Sequence, residues 1–454
     1  MFDAVINRAL NGGLPLLLLF AGTITGMLAL QFTPREEEPQ IVVPMVSVLV
    51  SAPGLEAKQV ERQVTTPLEK LLAQISGVEN VYSTSRTSSA EVTLRFYVGE
   101  NRESALLNTY NKLHSNRDQI PSIVSDWNVK PIEVDDVPII LLGLWSEDAS
   151  LYSDYELRRV ADEIATFLQG ITDTNEVHIV GGRQREITIE LNPEAMAARQ
   201  TTIQNITDAI QVSNELVSAG DMTFGNQILK IEAGDYFQSV DELASAVINV
   251  IDGIPVHLKD VARVSDGREM ATHYQWLEYG AGHASQEPAR HGSQPDDAQM
   301  ITISVAKQRG SDAVRVAQDV HDLLEEKKKD VLPPEMHIEV LRDYGVTAND
   351  KVNDLVLSLS FAVVTVVTFI GIFLGWRAAM VVALAVPLCY GFTLILDLAF
   401  GYTINRVTLF ALILSLGLLV DDPITGVDNI ERFMRSSSEG VRRKIVMAMS
   451  EIKI

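Results

Sequence analysis

The chain has 454 residues, 46% of them hydrophobic and 21% charged, with a formal charge of −23. That length holds several domains, and so acidic a balance argues against nucleic acid or anionic lipid as a partner of the polar part. A single cysteine, Cys389, excludes an internal disulfide framework, and the usual zinc-binding spacings are missing.

Polarity is sharply partitioned along the sequence. Apolar segments cover residues 14–30, 355–374, 378–400 and 408–420, and ordinary globular composition fills the stretch between the first and the second. About 20 helical residues cross a hydrocarbon layer of roughly 30 Å, so four transmembrane helices are expected. The first segment follows Arg8, as a signal peptide would. No small-x-small cleavage site follows it, and an uncleaved anchor is expected. Arg377 between the second and third segments, with Arg432, Arg435, Arg442, Arg443 and Lys444 after the fourth, outweighs Arg35, Lys351 and Arg406 on the other side. The basic side faces the cytoplasm. Both ends of the chain are therefore expected there, with the large middle region outside, which in a two-membrane bacterium is the periplasm.

That outer region repeats itself. Residues 41–50 alternate like a strand and are rich in valine. A helix from about Glu56 follows, with Val60, Val64, Leu68, Leu71, Leu72 and Ile75 on one face and a kink expected at Pro67. The turn at Gly77 then leads to an alternating strand at 91–96. The order recurs as a strand at 139–145, a helix carrying Leu157, Val160, Ile164, Phe167 and Leu168, and a strand at 186–191. A third set runs from strand 300–305 through helix 313–324 to strand 337–341. Repeated, split βαβ pieces predict ferredoxin-like subdomains. The fold class expected is thus an α-helical membrane protein with a large α+β outer region.

Residues 192–264 look like an insertion, with helices near 203–212 and 240–247 and strands at 228–233 and 254–258. Residues 280–297 are polar and are expected to form a surface hairpin or loop. His178, His257 and His337 are scattered, and solvated or core histidines are the expectation, with no metal site. The second and third spans are joined by a tight turn in which Trp376 suits the interfacial belt. Pro387 in the third span is tolerable if neighbouring helices cover the carbonyl it frees. Asp397 is expected to be solvated near the outer end.

Chemistry concentrates in the fourth span. A helix placed over residues 407–426 carries Asp421 and Asp422, about 100° apart on its surface. Ionisable groups in hydrocarbon are costly and usually mark an ion pathway. Neighbouring carboxylates titrate as one coupled unit, and such a unit can take a proton from the acidic side and release it to the cytoplasm. Pro423 would loosen the helix beside them. The apolar run before Asp421 is short, so a solvated helix end is the competing placement. Neither a phosphate-cradling Gly-x-x-x-x-Gly-Lys-[Ser/Thr] loop nor a Ser/His or Cys/His nucleophile signature is present. No cofactor is expected, and the proton motive force is the natural drive.

The stretch Gly417-Leu-Leu-Val-Asp421-Asp422-x-Ile424-x-x-Val427-Asp428-Asn429-Ile430-Glu431-Arg432 resembles the fourth-helix signature of resistance–nodulation–division (RND) efflux pumps, of the type that exports hydrophobic and amphiphilic compounds. Pro53-Gly54, Ser76-Gly77-Val78, Ala385-Val386-Pro387 and Gly401-Tyr402-Thr403-Ile404-Asn405 extend the likeness over essentially the whole chain. The resemblance implies an inner-membrane, multi-pass homotrimer, not an enzyme, with a periplasmic membrane-fusion adaptor and an outer-membrane channel as partners. It implies that Asp421 and Asp422 are the proton relay. The implied division is 1–34 for the N-terminus and first span, 35–135 for a first porter subdomain and 136–191 for part of a second. A docking-type insertion follows at 192–264, the rest of the porter at 265–350, spans two to four at 351–430, and a cytoplasmic amphipathic segment at 431–454.

Departures from the family pattern shape the remaining expectations. Such pumps have about twice this length, so an N-terminal half or a truncated product is expected, without the lysine that pairs with the aspartates. Many relatives have alanine in place of Pro423, and drug exporters carry an aromatic near Ile179-Val180. Metal-ion exporters of the family usually have one aspartate where this chain has two. The alternatives are a membrane-anchored periplasmic binding or sensor module without transport, a heavy-metal-type exporter, and a relative that assists protein translocation or lipid export.

Overall fold

A computed structural model describes residues 13–39, 43–132, 136–224, 227–280, 298–373, 375–436 and 440–452. Residues 281–297, most of the polar segment read as a loop, lie outside the described residues. Helix α1 (Leu14–Phe32) starts with Pro15 in its first turn, where a missing N–H costs nothing. It is apolar around its whole circumference. Thr33 ends it by bonding back to the Ala29 carbonyl at 2.6 Å.

The first outer unit comprises strand β1 (Met45–Ser51), helices α2 (Ala57–Val60) and α3 (Thr66–Leu72), strands β2 (Val78–Arg86) and β3 (Ser89–Phe96), helix α4 (Arg102–Ser115) and strand β4 (Asp126–Ile132). The sheet order is β2-β3-β1-β4, antiparallel throughout, with Val48 facing Val92 on one side and Val129 on the other. Val46, Val48 and Val50 alternate into the core with Ala90, Val92, Leu94 and Phe96. The helical cover is Val60, Val64, Leu68 and Leu72, four residues apart. In a plain α-helix such a row drifts about 40° per step. A π-helical turn at Glu61–Thr65, joining α2 to α3, widens the helix and keeps all four buried. The kink expected at Pro67 is thus met by a π-turn immediately before the ring.

The second outer unit interleaves two distant stretches. Strand β5 (Pro138–Ser146), helix α5 (Asp154–Gln169) and strand β6 (Thr174–Val180) come first, and strand β7 (Arg185–Leu191) leads away. Then follow α6 (Pro193–Ala198), α7 (Ile203–Ser213), β8 (Val217–Phe224), β9 (Gln227–Ala233), α8 (Val240–Ala244), β10 (Val247–Ile251), β11 (Ile254–His257), β12 (Ala262–Arg268) and the short β13 (Trp276–Leu277). The chain returns as β14 (Ala298–Lys307), α9 (Ala313–Val331) and β15 (Met336–Asp343). The order β6-β14-β5-β15 matches that of the first unit, with β14 in the third-strand role. The strand expected at 186–191 does not join this sheet. It pairs with β12, Ile189 opposite Val264, as a two-stranded stalk under the inserted head. The sheet partner is β6, whose Val177 and Ile179 pack on the core while Val180 stays half exposed.

Helix α10 (Tyr344–Phe373) continues directly from β15, followed by α11 (Trp376–Phe400), α12 (Arg406–Ser436) and α13 (Val441–Glu451). By length and composition, α1, α10, α11 and α12 can each cross a membrane. Helix α11 is the hub, with Ala378, Val382, Val386, Tyr390 and Leu394 forming one buried stripe, and it remains helical through Pro387. Outward faces carry apolar side chains such as Phe361, Leu414 and Leu418, each about three-quarters exposed at 74%, 77% and 76%. Surfaces of that kind call for lipid or further protein.

Candidate functional site

Helix α12 has a well-defined start. The Asn405 side chain is buried and its Oδ1 accepts from the Val407 and Thr408 amides at 3.0 and 3.1 Å, while Thr408 Oγ1 accepts from the Asn405 amide at 2.9 Å. These bonds satisfy first-turn donors that would otherwise be orphaned. From Arg406 the helix runs unbroken for 31 residues to Ser436. Asp421 and Asp422 therefore lie at its midpoint, roughly 22 Å along the axis from Arg406 at 1.5 Å per residue. Helix α12 extends well past residue 426, so the pair lies within the helix and not at its terminus.

Leu409, Leu412, Leu419, Ile424 and Val427 turn into the helix bundle. Spacing puts Asp421 and Asp422 on the opposite side, and both are exposed. Leu414, Leu418, Asp421 and Thr425 form one stripe down that open face. Among the described residues neither carboxylate has a hydrogen-bond or ion-pair partner. Gly417 and Gly426 flank the pair, and a Cβ on either would meet nothing within 4 Å. The open face is therefore apolar before the pair, at Leu414 and Leu418, smooth at the two glycines, and charged from the pair onward, with Asp428 and Arg432 also exposed on it.

The two halves of α12 are held differently. Above the aspartates, Tyr390 of α11 donates its hydroxyl to the Leu412 carbonyl at 2.8 Å, a buried bond. Pro423 has no N–H to return to the Leu419 carbonyl, so the helical ladder has a gap beside the pair. Below, Asn429 Nδ2 donates to the Ala448 carbonyl of α13 at 2.7 Å, Arg432 pairs with Glu451, and Lys444 Nζ reaches the Met434 carbonyl at 3.2 Å. The signature residues Asn429 and Arg432 thus hold the next helix in place.

The AcrB/AcrD/AcrF family model matches residues 5–454. The chain belongs to this RND family. Members of the family are transporters of the inner membrane, and the four apolar helices with a sizeable α/β region have the architecture the family requires.

Three features of this family member escaped sequence reasoning. Gly22 and Gly26 of α1 contact Gly391 of α11, a small-xxx-small pairing that was legible as spacing. Lys307 and Glu36 form a buried ion pair at 2.7 Å, linking residues too far apart in sequence for pattern to relate. The aromatic rings of the second sheet are also elsewhere than at Ile179-Val180. Trp145 lies against His337 at 4.9 Å and Tyr279 at 6.1 Å. The histidines have ordinary partners: His178 with Glu176, His337 with Glu147, and His257 with the Ser245 carbonyl. A depression of about 280 Å³ on the open side of the first sheet mixes Arg86, Glu91 and Asp126 with Leu49 and Trp127.

Proposed function

We propose that this chain supplies the inner-membrane permease of a proton-driven tripartite efflux pump that exports hydrophobic or amphiphilic compounds. The observation that carries the reading is the position of Asp421 and Asp422, at the centre of the longest apolar helix and on a face open to a further helix. A carboxylate pair there is costly unless it is protonated or meets a cation. Protonation cancels that cost from one side and re-ionisation restores it, so each proton that crosses can reset the helix, with the gap at Pro423 as the place that gives. Asp421 and Asp422 act as the relay, and no cofactor is needed beyond the proton gradient.

The outer units support the rest of this reading. The matching strand orders β2-β3-β1-β4 and β6-β14-β5-β15 support reading the two units as ferredoxin-like porter subdomains. The β8–β9 hairpin leaves Phe224 and Ile228 73% and 71% exposed, and an isolated two-stranded hairpin is marginal in water. A neighbouring copy in a homotrimer would cover it, and the inserted head would meet a periplasmic adaptor leading to an outer-membrane channel.

The test uses the complete transporter containing this chain, in proteoliposomes with an imposed proton gradient. Asp421→Asn and Asp422→Asn should each abolish both ethidium extrusion and coupled proton flux. Extrusion that persists in either variant would refute the relay.

A further inference from the structure

The membrane helices meet the second outer unit at a small polar joint. Among the described residues, the stretch directly after α1 joins neither sheet. Instead Arg35 bridges in parallel to Ile404, the Glu36 amide donates to the Ile404 carbonyl at 3.0 Å, and the Ile404 amide donates to Pro34 at 2.8 Å. The exit of α1 and the entry to α12 are thus zipped together. From that zipper Glu36 turns inward. One carboxylate oxygen takes the Lys307 ammonium at 2.7 Å and the other accepts from Thr403 Oγ1 at 3.3 Å. Both charged side chains are nearly inaccessible, 6% for Lys307 and 4% for Glu36. Lys307 ends β14, so the pair joins the second sheet to the start of the aspartate-bearing helix.

Neighbouring bonds point the same way. The Ala313 amide, at the start of α9, donates to the Arg35 carbonyl at 3.0 Å. Arg35 Nη1 reaches Asn349 of α10 at 2.9 Å, and Thr347 donates to Glu37 at 3.1 Å. Gly345 of α10 lies so near α9 that its Cβ would stand 2.5 Å from that of Ala317. Beside the pair opens a cleft of about 410 Å³, lined by Glu36, Lys307, Ile139, Arg342 and Tyr344. A small apolar cluster of Ile139, Ala313, Val316 and Tyr344 packs beside the pair, and directed bonds hold the polar side that the cleft leaves open. A buried ion pair is weak support for stability but fixes one geometry, because either charge left alone is penalised.

We propose that Glu36 and Lys307 are positioning residues that make the entry of α12, the exit of α1 and the second outer unit move as one body during transport. The inference rests on the exporter reading, since it names how a shift in the aspartate-bearing helix reaches the outer unit. Apolar contact alone would let the helices slide beneath the sheet; the Thr403–Glu36–Lys307 chain opposes it.

The test places spin labels at Tyr402 and Glu325, on either side of the joint, in the complete transporter in lipid nanodiscs, with Cys389 and any other cysteine replaced. The interspin distance distribution should be narrow in the parent. Glu36→Gln and Lys307→Met should each broaden it about twofold and cut ethidium extrusion about tenfold, as small misplacements far from the chemistry do. Lys307→Arg, which keeps the charge, should restore both. An unchanged width in Glu36→Gln overturns the proposal, whatever happens to extrusion, and so does a Lys307→Arg variant that behaves like Lys307→Met. If Lys307→Met does not fold, the near-isosteric Glu36→Gln decides alone. The width is readable even if Asp421→Asn still extrudes, so failure of the joint and failure of the relay are separate results.

Discussion

Gly26 of α1 lies so close to Gly391 of α11 that a Cβ built on Gly26 would stand 2.4 Å from the Gly391 Cα, and one built on Gly391 would stand 2.8 Å from the Gly22 carbonyl. Between helices without a hydrophobic drive, close approach of backbones supplies the attraction. Gly26→Val should therefore force α1 off the hub helix, at a cost of about 1–3 kcal/mol for overpacking. The check is thermal stability of the purified transporter in detergent. A variant as stable as the parent would show that this contact is dispensable.

Pro423 interrupts the ladder of α12 directly after the two aspartates. Alanine is favoured over proline in a helix interior by about 3 kcal/mol. Pro423→Ala should thus raise thermal stability while slowing turnover several-fold, because the place that yields has been stiffened. Proton-coupled extrusion measured beside a melting curve separates the two effects. Faster turnover would mean that bending at this point is not part of the cycle.

Asp154, in the first turn of α5, receives a bidentate pair from Arg183 at 2.7 and 2.5 Å. The Arg183 hydrogen bonds outweigh desolvation and hold the carboxyl below the usual carboxylate range. A depressed folded-state value adds stability above the unfolded value of about 3.9 and loses it as pH falls through the depressed value. Acid below about pH 4 should loosen the link between α5 and the stalk, and Asp154→Asn should cost about 1 kcal/mol at neutral pH while flattening that part of the acid limb. Melting temperature followed from pH 7 downward tests both the sign and the window. An acid limb unchanged in the variant would count against it.

At the far end of α12, Asn429 carries one of the bonds that dock α13, whose Ala448 is fully buried. Loss of a hydrogen bond worth about 1–1.5 kcal/mol raises the open population about tenfold. Asn429→Ala should accelerate amide exchange in residues 441–451 by that factor and leave α11 unaffected. Equal protection in both proteins would show that Arg432 and Lys444 suffice.

Much of this protein was legible from local pattern. The four apolar segments, the valine alternation of β1 and the i, i+4 rows of α2, α3 and α5 are signals a few residues long, set by what one face of a helix or strand must bury. The helix at 203–213 and the strand at 227–233 were readable for the same reason. Strand 185–191 was misassigned because alternation says that a strand is half-buried, and nothing about which strand covers it. The extent of α12 was also underestimated. Its last turns are polar, so hydropathy ended the segment near the aspartates, whereas the bonds to α13 carry the helix on to Ser436.

Sequence by itself determined the membership of residues in apolar helices and outer units, the twin carboxylates at Asp421-Asp422, and the fragile step at Pro423, because each is a property of neighbours along the chain. Only the tertiary structure decided that the carboxylates look away from the bundle, that Gly26 meets Gly391, and that Glu36 is buried against Lys307. Those depend on which surfaces remain after distant segments have packed. A charge, a glycine or a strand edge acquires its role only when the partner that solvates, crowds or pairs it has been brought alongside.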